Sequence, residues 1–193
     1  MTAILLDTET TGLREPEPVE VAYLRLNELD TYSELLNFQQ YDKFCERFRP
    51  SKAIEPGASK IHGIHLSDVA HSEYWKFEQL ELTPESFDYL IGHNISYDIN
   101  SLSFKRPELK ELLKEKKVIC TLKLVRRLFP EYKADGGYSL SNLMSKMFPV
   151  IQEALKTYAH GALADCYFTL CIIWKITVEH GIESWEELYD LQN

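Results

Sequence analysis

Two carboxylates, Asp7 and Glu9, stand two residues apart directly after the apolar run Ala3-Ile4-Leu5-Leu6. On a strand, side chains at i and i+2 point the same way. Two acids on one face at the end of a buried strand make an oxygen-lined spot suited to a hard divalent cation. Gly12 closes the run Asp7-Thr8-Glu9-Thr10-Thr11-Gly12 and lets the backbone turn sharply, close to anything bound there. Asp-x-Glu alone also fits a strand entering a polar turn with solvated acids. Three further residues bear on the choice. Asp98 opens a helix after Leu90-Ile91-Gly92-His93-Asn94, Asp165 lies in the first turns of the longest helical pattern, and His160 precedes Asp165 by five residues. Singly, the two aspartates read as early-helix acids favoured by the dipole, and His160 as a turn histidine.

These residues need a scaffold, and hydrophobic periodicity supplies one. The unbroken apolar run at 3–6 predicts a strand covered on both faces. Residues 19–26 and one or two strands within 34–48 read as an antiparallel meander. Ala58 to His62 suits a helical turn closed by Gly63, and Ser67-Asp68 suits the cap of another. Residues 72–84 carry the weakest pattern. A second buried strand is expected at 87–92, followed by a short helix through Leu102 capped by Asn94 or Ser96. A charged helix at 108–117, a strand at 118–120 and a helix at 121–129 stopped by Pro130 come next. After the turn Asp135-Gly136-Gly137, a helix at 139–148 places Leu140, Leu143, Met144 and Met147 on one face. The clearest helix spans 162–179, with Leu163, Tyr167, Leu170, Cys171, Trp174 and Val178 at helical spacing and Gly181 at its end. Trp185–Leu191 forms a last amphipathic helix. Strands first and helices interleaved later predict a mixed sheet with helices on its faces.

Taken in order, Asp-x-Glu-Thr-Thr-Gly, Gly-His-Asn-x-x-Tyr-Asp and His-x-x-x-x-Asp resemble the DEDDh (DnaQ-like) group of 3′→5′ exonucleases. The resemblance spans nearly the whole chain. Arg49-Pro50 followed by Ile61-His62-Gly63-Ile64 is similar to the family's loop between its first two motifs, and the run from Ile119 to Pro130 is most similar to the exonuclease X branch. The resemblance implies an α/β, ribonuclease H-like fold with a mixed five-stranded sheet flanked by helices, and a single exonuclease domain over 1–193. It implies a metal-dependent 3′→5′ exonuclease releasing 5′-mononucleotides, with two Mg²⁺ or Mn²⁺ ions about 4 Å apart. In that scheme Asp7 bridges both ions, Glu9 and Asp165 complete the first site, and Asp98 acts largely through metal-bound water. His160 is the general base, a task a neutral imidazole suits near pH 7. Thr10, Thr11 and Gly12 contact the 3′-terminal nucleotide, while His62, His93, Asn94 and Tyr97 line its pocket. Tyr97 can stack on a base or pack in the core. One departure is Gly161, where the family usually carries a larger polar residue, which leaves open how the His160 loop is held. Residues 72–84 and 133–137 have no family counterpart and are candidates for setting substrate preference.

DNA 3′ ends, single-stranded or frayed, are the expected partner, on the strength of the exonuclease X-like middle segment. A 3′→5′ exoribonuclease of the ribonuclease T or oligoribonuclease type is the first alternative, since the distinction turns on contacts to one 2′-OH. A catalytically silent nucleic-acid-binding or polymerase-associated module is the second; the intact acids and His160 argue against it.

With 193 residues, 45% hydrophobic and 12% aromatic, the chain has material for one domain with a sizeable core. It has no run of membrane-spanning length and starts without a basic, apolar leader, so a cytoplasmic location, no membrane and no obligate protein partner are expected. Cys45, Cys120, Cys166 and Cys171 form no C-x-x-C pair, and their apolar neighbours suggest buried, reduced thiols. Cys166, near His160, also admits a reading as a nucleophile. A net charge of −9 disfavours a general polyanion binder. The charge is uneven, however: positions 105–133 hold ten Lys/Arg and four Glu, a net +6 that leaves −15 elsewhere. That basic segment, with Lys123, Arg126 and Arg127, is either a phosphate-binding face or a solvated helix surface.

Overall fold

Strand β1 (Ala3–Thr10) runs through the middle of the molecule. Its even positions, Ile4 and Leu6, enter one apolar layer with Tyr23, Phe48, Ile95, Ile99 and Leu102. Its odd positions, Ala3 and Leu5, enter the opposite layer with Ala22, Leu24, Cys166, Leu170 and Ile173. Burial on both faces is why the run shows no polar alternation. The computed structural model describes residues 1–27, 29, 41–80, 82–155 and 160–192.

β2 (Pro18–Leu26) pairs antiparallel with β1, and β3 (Asp42–Arg47) pairs antiparallel with β2. β4 (Tyr89–Gly92) and β5 (Lys117–Cys120) join in parallel on the other side, giving the order β3-β2-β1-β4-β5. This is the mixed five-stranded sheet expected, with its antiparallel meander; the part of that expectation falling on 34–40 lies outside the described residues. The register between β1 and β2 slips at Glu9/Thr10, where a bulge re-aims the end of β1.

Among the described residues the α-helices are α1 (Pro56–His62), α2 (Ser96–Leu102), α3 (Pro107–Lys114), α4 (Thr121–Leu128), α5 (Leu140–Met147), α6 (Pro149–Leu155), α7 (Ala162–His180) and α8 (Trp185–Leu191). α2 and α3 cover the even face of β1, while α7 packs along the odd face against β1 and β2. α7 is buried at twelve of its nineteen residues, and Gly181 closes it in a left-handed conformation at φ 64°. Among the described residues no helix is long and apolar enough to cross a membrane.

Several local expectations are corrected. Neither Asn94 nor Ser96 caps α2: the N-cap is Ile95, and Asn94 instead takes a left-handed turn at φ 67°. At the short turn Leu66–Val69 the cap is His65, whose N–H donates to Asp68 at 2.7 Å. The charged helix stops at Lys114, because Lys117 already belongs to β5. α6 was not anticipated. Cys45 is exposed because β3 is an edge strand, whereas Cys120, Cys166 and Cys171 are buried. The other edge, β5, is closed by a side chain: Gln192 accepts the Cys120 N–H at 2.9 Å and donates to the Val118 carbonyl at 2.5 Å.

Candidate active site

Asp7 and Glu9 share the odd side of β1 with Ala3 and Leu5, so they face α7. α7 carries Asp165 in its first turn. One carboxylate oxygen from each of Asp7, Glu9 and Asp165 lies within 4.8 Å of the others. Asp98 comes from the opposite layer, in the first turn of α2. Its Oδ1 accepts the Thr8 backbone N–H at 3.0 Å and the Thr8 hydroxyl at 2.9 Å. Thr8 lies between the two strand acids and points the other way, so one strand end collects acids from helices on both faces of the sheet.

Burial pushes the Asp7 carboxyl well above the usual carboxylate range, and the charges of Asp98, Asp165, Glu9 and Glu20 add to it. Glu9 is pushed up to about 8 by burial and then by Asp165, Glu20 and Asp98. Asp98 is raised to about 7 by burial, against the pull of its Thr8 bonds. Asp165 is raised to about 6 by burial, opposed by the charge of His160 and a hydrogen bond from the His160 backbone. Crowded acids in a poorly solvated corner hold protons until a cation replaces them. Asp7, Glu9 and Asp165 offer oxygen donors only, the set that Mg²⁺ and Mn²⁺ prefer.

A cavity of about 340 Å³ abuts Glu9. Thr8, Thr10, Gly12, Leu13, Glu55, Gly57, Ala58, Ile61, His62 and Tyr97 complete its lining. The wall is tied together at Thr10 and Gly12. The Tyr97 hydroxyl donates to the Gly12 carbonyl at 2.9 Å and lies 2.5 Å from the Thr10 hydroxyl. The Ile64 N–H donates to His62 Nδ1 at 3.0 Å, so the His62 proton sits on Nε2, which donates to the Thr10 carbonyl at 3.2 Å. Burial lowers the His62 pKa, consistent with that neutral tautomer. Gly12 has φ 145°, and a Cβ there would come within 2.2 Å of the Glu55 carboxylate.

Other expected site residues stand elsewhere. Thr11 is buried within its loop, bonded through its N–H to the Glu17 carbonyl at 2.9 Å and through its hydroxyl to the Glu17 N–H at 3.1 Å. His93 spends both ring nitrogens on the scaffold, 3.0 Å from the Thr121 hydroxyl and 2.8 Å from the Tyr138 carbonyl. Neither His93 nor Asn94 lines the cavity. His160 is exposed, immediately before α7, and takes the left-handed turn itself at φ 63°. Gly161 has φ −112° and ψ 139°, which any residue can adopt.

Cys166 is fully buried, its thiol directed at the Leu5 and Ala22 carbonyls at 3.7 and 3.6 Å, and burial pushes its pKa up. A deeply buried, protonated thiol is a packing group. The basic segment is not one face. Lys105, Arg106, Lys114 and Lys117 pair with Glu17, Glu78 and Glu108, Glu111 and Glu186 respectively. Lys123, Arg126 and Arg127 are exposed on α4, with Arg126 over the Tyr138 ring and Arg127 bonded to the Leu191 carbonyl. Thr8, Glu20, Leu13 and Glu55 were not foreseen. Glu20 had a visible signal, as an acid inside the apolar strand Val19-Glu20-Val21-Ala22.

The family model described as exonuclease matches residues 4–173. The chain belongs to this exonuclease family. Among curated relatives of the exonuclease, exodeoxyribonuclease 10 of Escherichia coli K12 is 29% identical over 179 residues, covering 92% of this chain and 69% of the relative. The DNA polymerase III epsilon subunit of Buchnera aphidicola subsp. Schizaphis graminum is 32% identical over 139 residues, 67% of this chain and 58% of that protein. The chain thus spans little more than half of that subunit. Among solved structures, exonuclease X in complex with 5′ overhanging duplex DNA superposes with TM-score 0.64 at 25% identity, covering 99% of both chains. E. coli exonuclease I in complex with a dA16 oligonucleotide gives 0.65 at 20% identity, over 98% of this chain and 42% of that one, and shows the shared fold alone. The five-stranded mixed sheet with its helices is the ribonuclease H-like fold of these exonucleases.

Proposed function

We propose that this exonuclease hydrolyses DNA from the 3′ end to 5′-mononucleotides with divalent metal. The observation that carries the reading is the cluster of Asp7, Glu9 and Asp165 oxygens within 4.8 Å, of which Glu9 also lines the cavity at Thr10, Gly12 and Tyr97. Asp7, Glu9, Asp165 and Asp98 would hold two Mg²⁺ or Mn²⁺ ions, which when bound supply Lewis acidity and neutralise charge on the phosphodiester. The chain's own residues do the rest. Tyr97 and His62 fix the loop at Thr10 and Gly12, so the terminal nucleotide meets a preorganised wall. Leu13 and Ile61, exposed at 83% and 62% beside the cavity, offer apolar contact to a base without reading its identity. His160 takes the proton of the attacking water on an imidazole nitrogen, while its backbone holds Asp165.

The names of the relatives, an exodeoxyribonuclease and a DNA polymerase subunit, support DNA as substrate. The test is incubation of the purified protein with 5′-labelled single-stranded DNA and RNA in Mg²⁺. The expected result is a ladder shortening from the 3′ end on DNA, with mononucleotides released. RNA degraded while DNA stays intact would replace this substrate assignment, and no degradation of either would overturn the activity.

A further inference from the structure

Glu20 is an acid where the strand pattern calls for an aliphatic side chain. It lies between Val19 and Val21 in β2, is 6% exposed, and is the register partner of Glu9. Directly paired residues share a sheet face, so Glu20 stands beside Glu9 on the side covered by α7. Its two oxygens have separate partners. Oε2 accepts from Arg47 Nε on β3 at 2.9 Å, and Oε1 accepts the backbone N–H of Ala162 at 2.9 Å. Ala162 is the first residue of α7, and Gly161 at the N-cap has no side chain to offer it. The strand therefore supplies the cap that the local sequence lacks. This placement is electrostatically unfavourable, since the charge of Glu20 adds to the burial that pushes up the Asp7, Glu9 and Asp165 carboxyls. Arg47 is half exposed, and an ion pair of that kind contributes little. What the carboxylate uniquely does is tie the start of α7 to the strand opposite the acids. His160 lies two residues before that tie and Asp165 three after it.

We propose that Glu20 is a positioning residue: by accepting the Ala162 N–H it fixes the start of α7 against β2, and so sets where Asp165 and His160 stand relative to Asp7 and Glu9. The catalytic consequence rests on the exonuclease reading above; the geometric one does not.

Two substitutions separate anchoring from charge. Glu20→Ala removes the acceptor. Glu20→Gln keeps an oxygen for Ala162 and turns its NH₂ toward Arg47, which can swing into solvent. In Glu20→Ala, kcat on a 3′ DNA end is expected to fall roughly ten- to a hundredfold, the scale for lost outer partners of metal ligands. KM should move much less, Mn²⁺ binding by calorimetry should weaken, and the Ala162 amide should exchange at least about tenfold faster by NMR, as a lost hydrogen bond permits. In Glu20→Gln, kcat, Mn²⁺ affinity and Ala162 protection should all return close to native values. A Glu20→Ala enzyme with native kcat and Mn²⁺ affinity overturns the proposal. So does a Glu20→Gln enzyme that loses kcat while Ala162 stays protected, or keeps native kcat with that protection lost, an arm that decides the matter even where the alanine variant does not fold. If the native protein degrades no nucleic acid, the exonuclease reading fails by itself, and the exchange and Mn²⁺ arms still decide the role of Glu20.

Discussion

Four carboxyls at the site hold their protons above the ordinary range: Asp7 well above it, Glu9 to about 8, Asp98 to about 7 and Asp165 to about 6. In the unfolded chain these groups titrate near 4. A carboxyl raised by folding contributes stability that is fully present below its unfolded pKa and is lost as pH rises through the folded one. The metal-free protein should therefore lose melting temperature between pH 5 and 8. Mn²⁺ needs the ligands deprotonated, so the rise in Tm that it produces should be largest near pH 8 and small near pH 5. Asp7→Asn removes a charge that the other acids oppose and a ligand, so it should flatten both trends. Thermal melts with and without Mn²⁺ check this, and a Tm indifferent to Mn²⁺ at pH 8 counts against the site. His160 should behave differently. It lowers the Asp165 pKa by its charge and by a backbone hydrogen bond, and His160→Ala leaves the second available. Metal-linked stabilisation and DNA binding should persist in the variant. Hydrolysis should fall on the order of a hundredfold, the usual scale for a lost general base, and the pH–rate profile should lose the limb the base carries. Native turnover in His160→Ala would return the residue to a turn histidine.

The acids meet because of how elements share β1. Its even face receives α2 with Asp98, and its odd face receives α7 with Asp165. Thr8 is the joint between the layers. Thr8→Val keeps shape and the backbone bond but deletes the hydroxyl donor at 2.9 Å to buried Asp98. The expected cost is about 1 kcal/mol of Mn²⁺-loaded stability, the scale of one hydrogen bond to a charged group partly offset by the remaining bond. Denaturant titration in Mn²⁺ reads it, and an unchanged midpoint would mean Asp98 is held by α2 alone. The same geometry explains what the sequence could tell. Asp7, Glu9 and the apolar runs at β1, β4 and α7 were legible because strand and helix periods are local properties. So were Gly63, Gly181 and Ser139 as helix ends, since caps act within one turn. Thr8 and Glu20 were not recognised, because their partners, Asp98 and Ala162, lie 90 and 142 residues away. His93 was placed in the pocket by its neighbours in the motif, whereas Thr121 and Tyr138 claim its ring. The cap of α2 was misjudged because Asn94 uses its tolerance of positive φ instead of its side chain.

On the scale of the molecule, an acidic protein of net charge −9 is proposed to bind a polyanion at a cluster of acids. Cations along the strand's path must offset that repulsion. The ten Lys/Arg between 105 and 133 were a candidate face, but Lys105, Arg106, Lys114 and Lys117 are paired with glutamates. α4 remains, with Lys123, Arg126 and Arg127 exposed on it. The charge of Arg126 reaches His93, next to the Gly92 end of β4. That strand runs parallel to β1, so α4 starts at the sheet end where the acids gather. If these three cations neutralise phosphates of a single strand, each releases counterions worth about 0.7 in the slope of log K against log salt. The triple alanine variant should therefore bind oligonucleotides more weakly, by similar factors for different sequences, with a shallower salt slope. Arg127 also donates to the Leu191 carbonyl at the end of α8, so the variant should lose some Tm as well. The slope distinguishes the two effects, because a merely destabilised protein binds less at every salt concentration with the slope kept. Fluorescence anisotropy across a salt series on the Asp7→Asn background, where the proposed site would lose a metal ligand and cleavage should be suppressed, measures it. A slope equal to that of the parent would make α4 a solvated face, and leave attraction of DNA to metal at the acids and to apolar contacts at Leu13 and Ile61.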